Sequence, residues 1–348
     1  MSSESGAGHV ADFEGRRRAL FAVVALAAAG VLLANHAELP EGWRAARHVS
    51  PGWLLALLVL TVLSLAALTA EHTAAQRAAG LRPRLSTIAP LALAAKFANS
   101  VAKSGGLAGL AVFRAEARRK GQPLGPVAAA YLLVTALDVL AFALVLVAAL
   151  SVLVASRRFT RADAVATAVF GAYVAVVVTA AVCAARSRAA IRGLYALPHR
   201  VRRRLGRRAG DGGQDLVPDH TAADELFDAV AVIRQRPWTA SVAGLGALAV
   251  DLVGAVQLWT VLAALAVHVT LSGALVAYGL STLLGIVSVV PGGLGFVEFS
   301  LAAVLVSYGT ALGVAAAAVA LYRIAEFWLP LAAGASALHR VGSSRRRR

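Results

Sequence analysis

Apolar residues run through 19–34, 51–70, 85–113, 125–155, 163–184, 241–268, 272–308 and 311–338, and Arg, Pro, Gly or Asp gather in the connectors between them. Crossing about 30 Å of hydrocarbon takes about 20 helical residues, and several of these runs are that long. A chain in lipid must pair its backbone amides internally, which leaves helices or a closed barrel. The runs are continuous rather than alternating, so the pattern predicts an all-α integral membrane protein. Two blocks are broken near their centres, 85–113 by Lys103-Ser104-Gly105-Gly106 and 272–308 by Pro291-Gly292-Gly293. Each is either a full span or a re-entrant hairpin.

Charge bias separates those options, because cytoplasmic connectors collect Lys and Arg. The connector Arg186–Arg208 holds nine arginines and no acid, and Arg16–Arg18 and Arg345–Arg348 flank the two ends. A full crossing by 85–113 would put Arg186–Arg208 and Arg16–Arg18 on opposite sides. A hairpin puts both inside, with Arg77, Arg82, Arg84, Arg114, Arg118, Arg119 and Lys120. The same count makes 272–308 a hairpin, since 311–338 must return for Arg345–Arg348 to be cytoplasmic. The expectation is about six full spans plus two broken hairpins. In order, 51–70, hairpin and 125–155 run opposite to 241–268, hairpin and 311–338, which is an inverted repeat. Transporters use such repeats and place substrate where broken helices meet; glycine breaks also serve close helix packing alone. The N-terminal run 19–34 after Arg16–Arg18 reads as an uncleaved signal anchor.

The domains expected are a cytoplasmic tail 1–18, a polytopic membrane domain 19–338 and a basic tail 339–348. Within the membrane domain, 185–240 is a basic cytoplasmic loop, with Asp211–Asp219 flexible. Leu226, Val230 and Ile233 give it a modest amphipathic face before Trp238, expected to lie on anionic headgroups.

Hydrophobic residues make up 59% of the 348. The formal charge of +16 would suggest nucleic acid in a soluble protein. Here the arginines sit in short connectors without a nucleic-acid motif, so nucleic acid is excluded as a partner. Cys183 is the only cysteine, which rules out an internal disulfide or a thiolate metal cage. His9, His36, His48, His72, His199, His220, His268 and His339 are read as lying in tails, loops or span ends, and no HExxH occurs. With no P-loop and no nucleophile elbow either, the chain is read as a non-enzyme with neither metal nor cofactor. High Ala, Val and Arg content fits a GC-rich bacterial genome.

Ionisable groups at membrane depth are costly and are therefore functional candidates. Lys96 lies about 18 Å beyond Arg84 along a helix. Asn99, Ser100 and Lys103 share its stripe, which suits a headgroup phosphate or, equally, a water crevice. The Pro291-Gly292-Gly293-Leu294-Gly295 break starts a half-helix whose free amides and dipole favour anions. Glu298, one turn later, either stabilises that start or pairs with a cation. Arg323 and Glu326 share a face at i,i+3, and Arg323 can pair with Glu298 instead. Asp138 and Asp251 are candidate counter-ions to Lys96, Lys103 or Arg323.

The run Pro291 to Glu298, followed by Leu321-Tyr322-Arg323 and Leu329-Pro330, resembles the C-terminal hallmark of the lysylphosphatidylglycerol synthase transmembrane, flippase-like family. Asn99, the Gly105-Gly106 break, Arg114 and Arg118-Arg119-Lys120-Gly121 are similar to its first half. Many members carry Pro-Gly and Gly-Glu where Lys103-Ser104 and Gly109-Leu110 stand here. Synthase members add a soluble aminoacyl-transferase domain, for which this sequence has no length. The resemblance implies membrane translocation or an accessory role, and a site that includes Gly292, Gly293, Gly295, Glu298, Tyr322 and Arg323.

These observations together lead to the expectation of a lipid translocase in the cytoplasmic membrane, both termini cytoplasmic. Its partners would be membrane lipids with anionic headgroups, either a phospholipid or a polyprenyl-linked lipid. Lys96, Lys103 and Arg323 would contact phosphate, and Glu298 would be a switchable counter-ion. Two alternatives remain: a non-transporting membrane partner of a separate glycosyltransferase or lipid synthase, and an ion-coupled small-solute transporter working through Asp138, Asp251 or Glu298.

Overall fold

The computed structural model describes residues 39–102, 104–156, 161–189, 220–288 and 290–343. The 19–34 run, both charged termini, most of the arginine-rich connector and Lys103 lie outside the described residues.

A short helix, α1 (Leu39–Arg47), precedes the long α2 (Pro51–Ala78). The first broken block forms α3 (Leu85–Val101) and α4 (Leu107–Arg119), which fold back on each other. Then come α5 (Leu124–Ala155), α6 (Arg161–Arg186), α7 (His220–Arg234) and α8 (Pro237–Ala264). The second broken block forms α9 (Leu271–Val287), a 3-10 turn (Pro291–Gly293) and α10 (Phe296–Ser307). The last span is α11 (Leu312–Arg323), a π-helical segment (Ile324–Trp328) and α12 (Leu329–Ser343). Five described stretches are long and apolar enough to cross a membrane: α2, α5, Ala164–Ala184 in α6, α8 and Leu312–Arg340. The hairpin helices fall short of that: α3 has 17 residues and α4 has 13.

The burial pattern is inverted relative to a soluble bundle. In α2, Leu54, Leu55, Leu58, Val59, Val62 and Leu63 are exposed, whereas Glu71, His72, Thr73 and Gln76 are buried. In α5, Leu140, Leu144 and Val147 are exposed, while Val134, Phe142 and Val145 on the opposite face are buried. Apolar surface on this scale is stable only against lipid.

Packing is reciprocal between the two halves. α2 packs on α8 across the centre. α3 packs on α12, and its counterpart α9 packs on α5. α2 touches α3 as α8 touches α9, and α4 touches α5 as α10 touches α11. An inverted repeat requires this pairing, because each hairpin must lean on the last span of the other half. Small residues permit the closest contacts: a Cβ on Gly334 would sit 2.5 Å from the Leu93 carbonyl oxygen, and one on Gly246 would sit 2.8 Å from the Glu71 Cβ.

Two expectations need correction. The helix that starts at Pro51 does not stop at 70: it continues to Ala78 and carries Glu71 and His72 inside the bundle, so His72 is a buried residue rather than a span-end one. No Gly or Pro occurs between Gly52 and Gly80, and an Ala-rich stretch propagates helix well past the first charge. The amphipathic face before Trp238 is also placed differently. Leu226 and Ala229 of α7 pack on Ala128 and Ala129 of α5, so the bundle and not headgroups covers that face. Glu225 accepts a hydrogen bond from the Gly125 amide at 3.2 Å, and Arg188 pairs with Asp228 at 2.6 Å.

Gly334→Val should separate α3 from α12, because its first clash is with backbone. The expected loss is about 1–3 kcal/mol, read as a lower midpoint of thermal unfolding in detergent; an unchanged midpoint would show that this contact is not tight.

Candidate functional site

The second break is built around one arginine. Three glycines adopt positive φ there, Gly292 at +66°, Gly293 at +64° and Gly295 at +85°, a region where side chains are strained. A Cβ on Gly292 would also lie 2.7 Å from the Phe327 ring. The turn aims the Gly292 carbonyl at Arg323, whose Nη2 donates to it at 3.1 Å. Arg323 is 5% exposed and donates from Nε to Glu298 Oε1 at 2.7 Å. Its Nη1 reaches Glu326 Oε2 at 3.3 Å, and its guanidinium lies 4.1 Å over the Phe327 ring centroid. Glu298 Oε2 in turn accepts from the Gly295 amide at 2.6 Å, so the start of α10 is capped by its own side chain. Tyr322, the other half of the hallmark pair, is buried in the core beside Arg323.

The π-helical segment follows immediately. Wider i→i+5 winding releases a carbonyl from the α-helical ladder, and the Ala325 carbonyl lies 3.2 Å from Thr61 Oγ1 of α2, whose one hydrogen it shares with the Leu57 carbonyl at 2.9 Å. Gln257 of α8 donates to the same hydroxyl oxygen at 3.0 Å. Three spans are thereby tied beside Arg323 and Glu326.

The first break is held by Asn99. Its Oδ1 accepts from the Gly109 amide at 2.8 Å across the hairpin, and its Nδ2 donates to Tyr131 Oη on α5 at 2.8 Å. Below it, His72 stacks on Phe113 with centroids 5.4 Å apart, and Phe113 contacts Tyr131 at the same separation. Asn99 is therefore occupied by protein partners. Lys96, on the same helix, makes no ion pair with a described residue and lies in electrostatic reach of Glu71, Asp138 and Asp251. The last of these accepts from Tyr278 Oη at 2.7 Å.

The structure thus sorts the predicted residues into two groups. Gly292, Gly293, Gly295, Glu298, Tyr322, Arg323 and Glu326 form one cluster. Lys96, Asp138 and Asp251 form a second, joined to the first because Asp251 also lies in reach of Glu326. Asp138 and Asp251 are arranged around Lys96, and the ion pairs of Arg323 are with Glu298 and Glu326. Sequence reasoning missed Glu71, Thr61, Gln257 and Tyr278. An acid inside an uninterrupted Gly- and Pro-free helical stretch was the available signal for Glu71.

At one end of the bundle, a cleft of about 650 Å³ lies between α3 and α12, lined by Ser86, Thr87, Glu116, Lys120 and Ser336 among others. Arg119 grips Glu116 with both Nε and Nη2, at 2.8 and 2.7 Å, and Lys120 reaches the same carboxylate at 3.0 Å.

An all-helical membrane bundle with two broken hairpins and a buried arginine at the second break defines the class. Within it, residues 20–334 match the family described as the lysylphosphatidylglycerol synthase TM region, and the chain belongs to that family. The match is to the membrane region of the synthase, which ties the chain to lipid-related function. No curated protein matches the chain.

Asn99→Leu should leave the Gly109 amide and the Tyr131 hydroxyl without their partner, at a cost of about 1–3 kcal/mol. Tyr131→Phe should cost less, because the Gly109 bond survives. Thermal unfolding of both variants in detergent tests the order, and equal or reversed losses would remove Asn99 from its stapling role.

Proposed function

We propose that the chain is a translocase for a phosphate-bearing membrane lipid, with the basic end of the bundle cytoplasmic. One observation carries this reading: a buried arginine fork at a helix break, inside a membrane region of a lipid-linked family, with its donors satisfied by carboxylates that a phosphate can replace. Guanidinium binds carboxylate and phosphate through the same paired geometry. Displacement of Glu298 by a phosphate would trade one anion for another at Arg323. The Gly295 amide would keep Glu298 at the mouth of α10, ready to return. Lys120 and Arg119 at the cleft between α3 and α12 supply positive charge where an anionic headgroup would arrive. Lys96 lies further in. The arginine-rich flanks, Arg77, Arg82 and Arg84 among them, support a cytoplasmic position for this end.

The interior balance adds a condition. In the connected cluster five acids, Glu71, Asp138, Asp251, Glu298 and Glu326, face two described cations, Lys96 and Arg323. An anionic headgroup entering a fully ionised cluster of that kind would be repelled, so its passage requires neutralisation of some of these acids or an amine on the headgroup itself.

Fluorescent-lipid movement in liposomes holding the purified chain tests the proposal, with anionic and zwitterionic lipids compared. Arg323→Lys keeps the charge and loses the fork. It should slow movement about tenfold or more, the equivalent of roughly 1.4 kcal/mol, while size-exclusion and circular dichroism remain normal. Wild-type movement in this variant would remove Arg323 from the site. No movement by folded wild-type protein would favour the non-transporting partner of a lipid enzyme.

A further inference from the structure

Glu71 is the residue that the lipid site leaves unexplained. It is fully buried in α2, where Gly246 of α8 approaches closely enough that a Cβ there would lie 3.0 Å from the Glu71 Cα. Among the described residues no donor reaches either of its carboxyl oxygens. The polar group within hydrogen-bonding reach is Asp138 of α5, a second carboxyl. Two ionised carboxylates offer acceptors only and cannot bond to each other. One proton between them converts a repulsion into a hydrogen bond.

Asp138 supplies a route for that proton. It is exposed, although its neighbours at i−4, i+4 and i+7 on α5, Val134, Phe142 and Val145, are buried and the lipid-facing Leu140, Leu144 and Val147 point elsewhere. Because that face of α5 is otherwise buried, its exposure points to an opening within the bundle. The surrounding groups fit a pair that carries a single negative charge. Lys96 of α3 lies in reach of both carboxyls. Asp251 of α8 is also within reach of Glu71 but is engaged by Tyr278, and Glu326 of the π-helical segment lies beyond it, beside Arg323. On α2 itself, His72 turns away to stack on Phe113. The titratable residues of α12, His339 and Arg340, stand near its far end.

We propose that Glu71 and Asp138 form a proton-binding site that holds one proton between two carboxyl groups at the junction of α2, α5 and α8. The proton arrives from water in the opening beside Asp138 and returns there; no other bond is made or broken. Lys96 stabilises the remaining charge. Proton binding is independent of lipid movement. Its use in driving that movement, by relieving the acid excess as a headgroup enters, rests on the translocase reading.

Infrared spectroscopy of the full chain in lipid nanodiscs reads this site directly. Wild-type protein should show a protonated-carboxyl C=O band at neutral pH that shifts in deuterated water. Glu71→Gln should remove it. Asp138→Asn should shift its frequency and the pH at which it is lost, since the proton is no longer shared. Absence of the band from wild type, or an unchanged band in both variants, overturns the proposal. If Glu71→Gln fails to insert, the Asp138→Asn spectrum decides alone: a shifted band supports the pair and an unshifted one overturns it. Lipid movement under imposed pH gradients of either sign is a separate arm. Its failure with the band intact would refute the translocase reading and leave the proton site standing.

Discussion

A helix interrupted inside a membrane exposes amides and carbonyls that hydrocarbon cannot pair, and each such group left bare costs several kcal/mol. The arrangement of this protein follows from how its interruptions are closed. At the first break, Asn99 takes the Gly109 amide. At the second, Glu298 takes the Gly295 amide and Arg323 takes the Gly292 carbonyl. At the π-helical segment, Thr61 takes the Ala325 carbonyl. At each break the closing group also binds a further helix: Asn99 reaches Tyr131, Glu298 receives Arg323, and Thr61 receives Gln257. Repair of the backbone and assembly of the bundle are therefore one network.

The second break differs from the first in using charge. Asn99 closes its break with a neutral amide, whereas Glu298 and Arg323 close theirs as an ion pair with Glu326 as a second partner. Arg323 is buried while Glu298 and Glu326 are partly exposed, so removing a carboxylate strands a buried cation unless an equivalent ion replaces it. That property makes the pair exchangeable by an anion of similar geometry, which a neutral staple is not. In the proposed translocase this asymmetry would place lipid exchange at Arg323, with the first hairpin as its support.

The coarse architecture was legible because its causes act over whole segments. Long apolar runs, glycine-containing breaks and arginine-rich connectors give the helical membrane class, both interruptions and the reciprocal halves. Arg323 with Glu298 and Glu326 was legible too, since a single cation at depth must find acids and few were on offer. What sequence could not show was which polar side chains turn inward to serve backbone: Asn99 reads as a ligand on a polar stripe, and the structure has it bonded to the Gly109 amide and the Tyr131 hydroxyl. Glu71 and His72 were lost for a related reason. A charge at the end of an apolar run resembles a span boundary; local propensity carries the helix through it, and packing against Gly246 and Phe113 is what turns Glu71 and His72 inward.

Asp251 lies in reach of Asp138 and Lys96 on one side and of Glu326 on the other, and it belongs to α8, the helix that packs on α2 across the centre. A charge change at Glu71 and Asp138 therefore acts on Arg323 through Asp251 and Glu326, groups already in place and requiring no large displacement. Two sites that share an intermediate charge have affinities that depend on each other by linkage, whichever is filled first. In a bundle whose halves lean on each other through α3 with α12 and α5 with α9, that shared charge lies at the central α2–α8 contact, the position from which it can bias both hairpins.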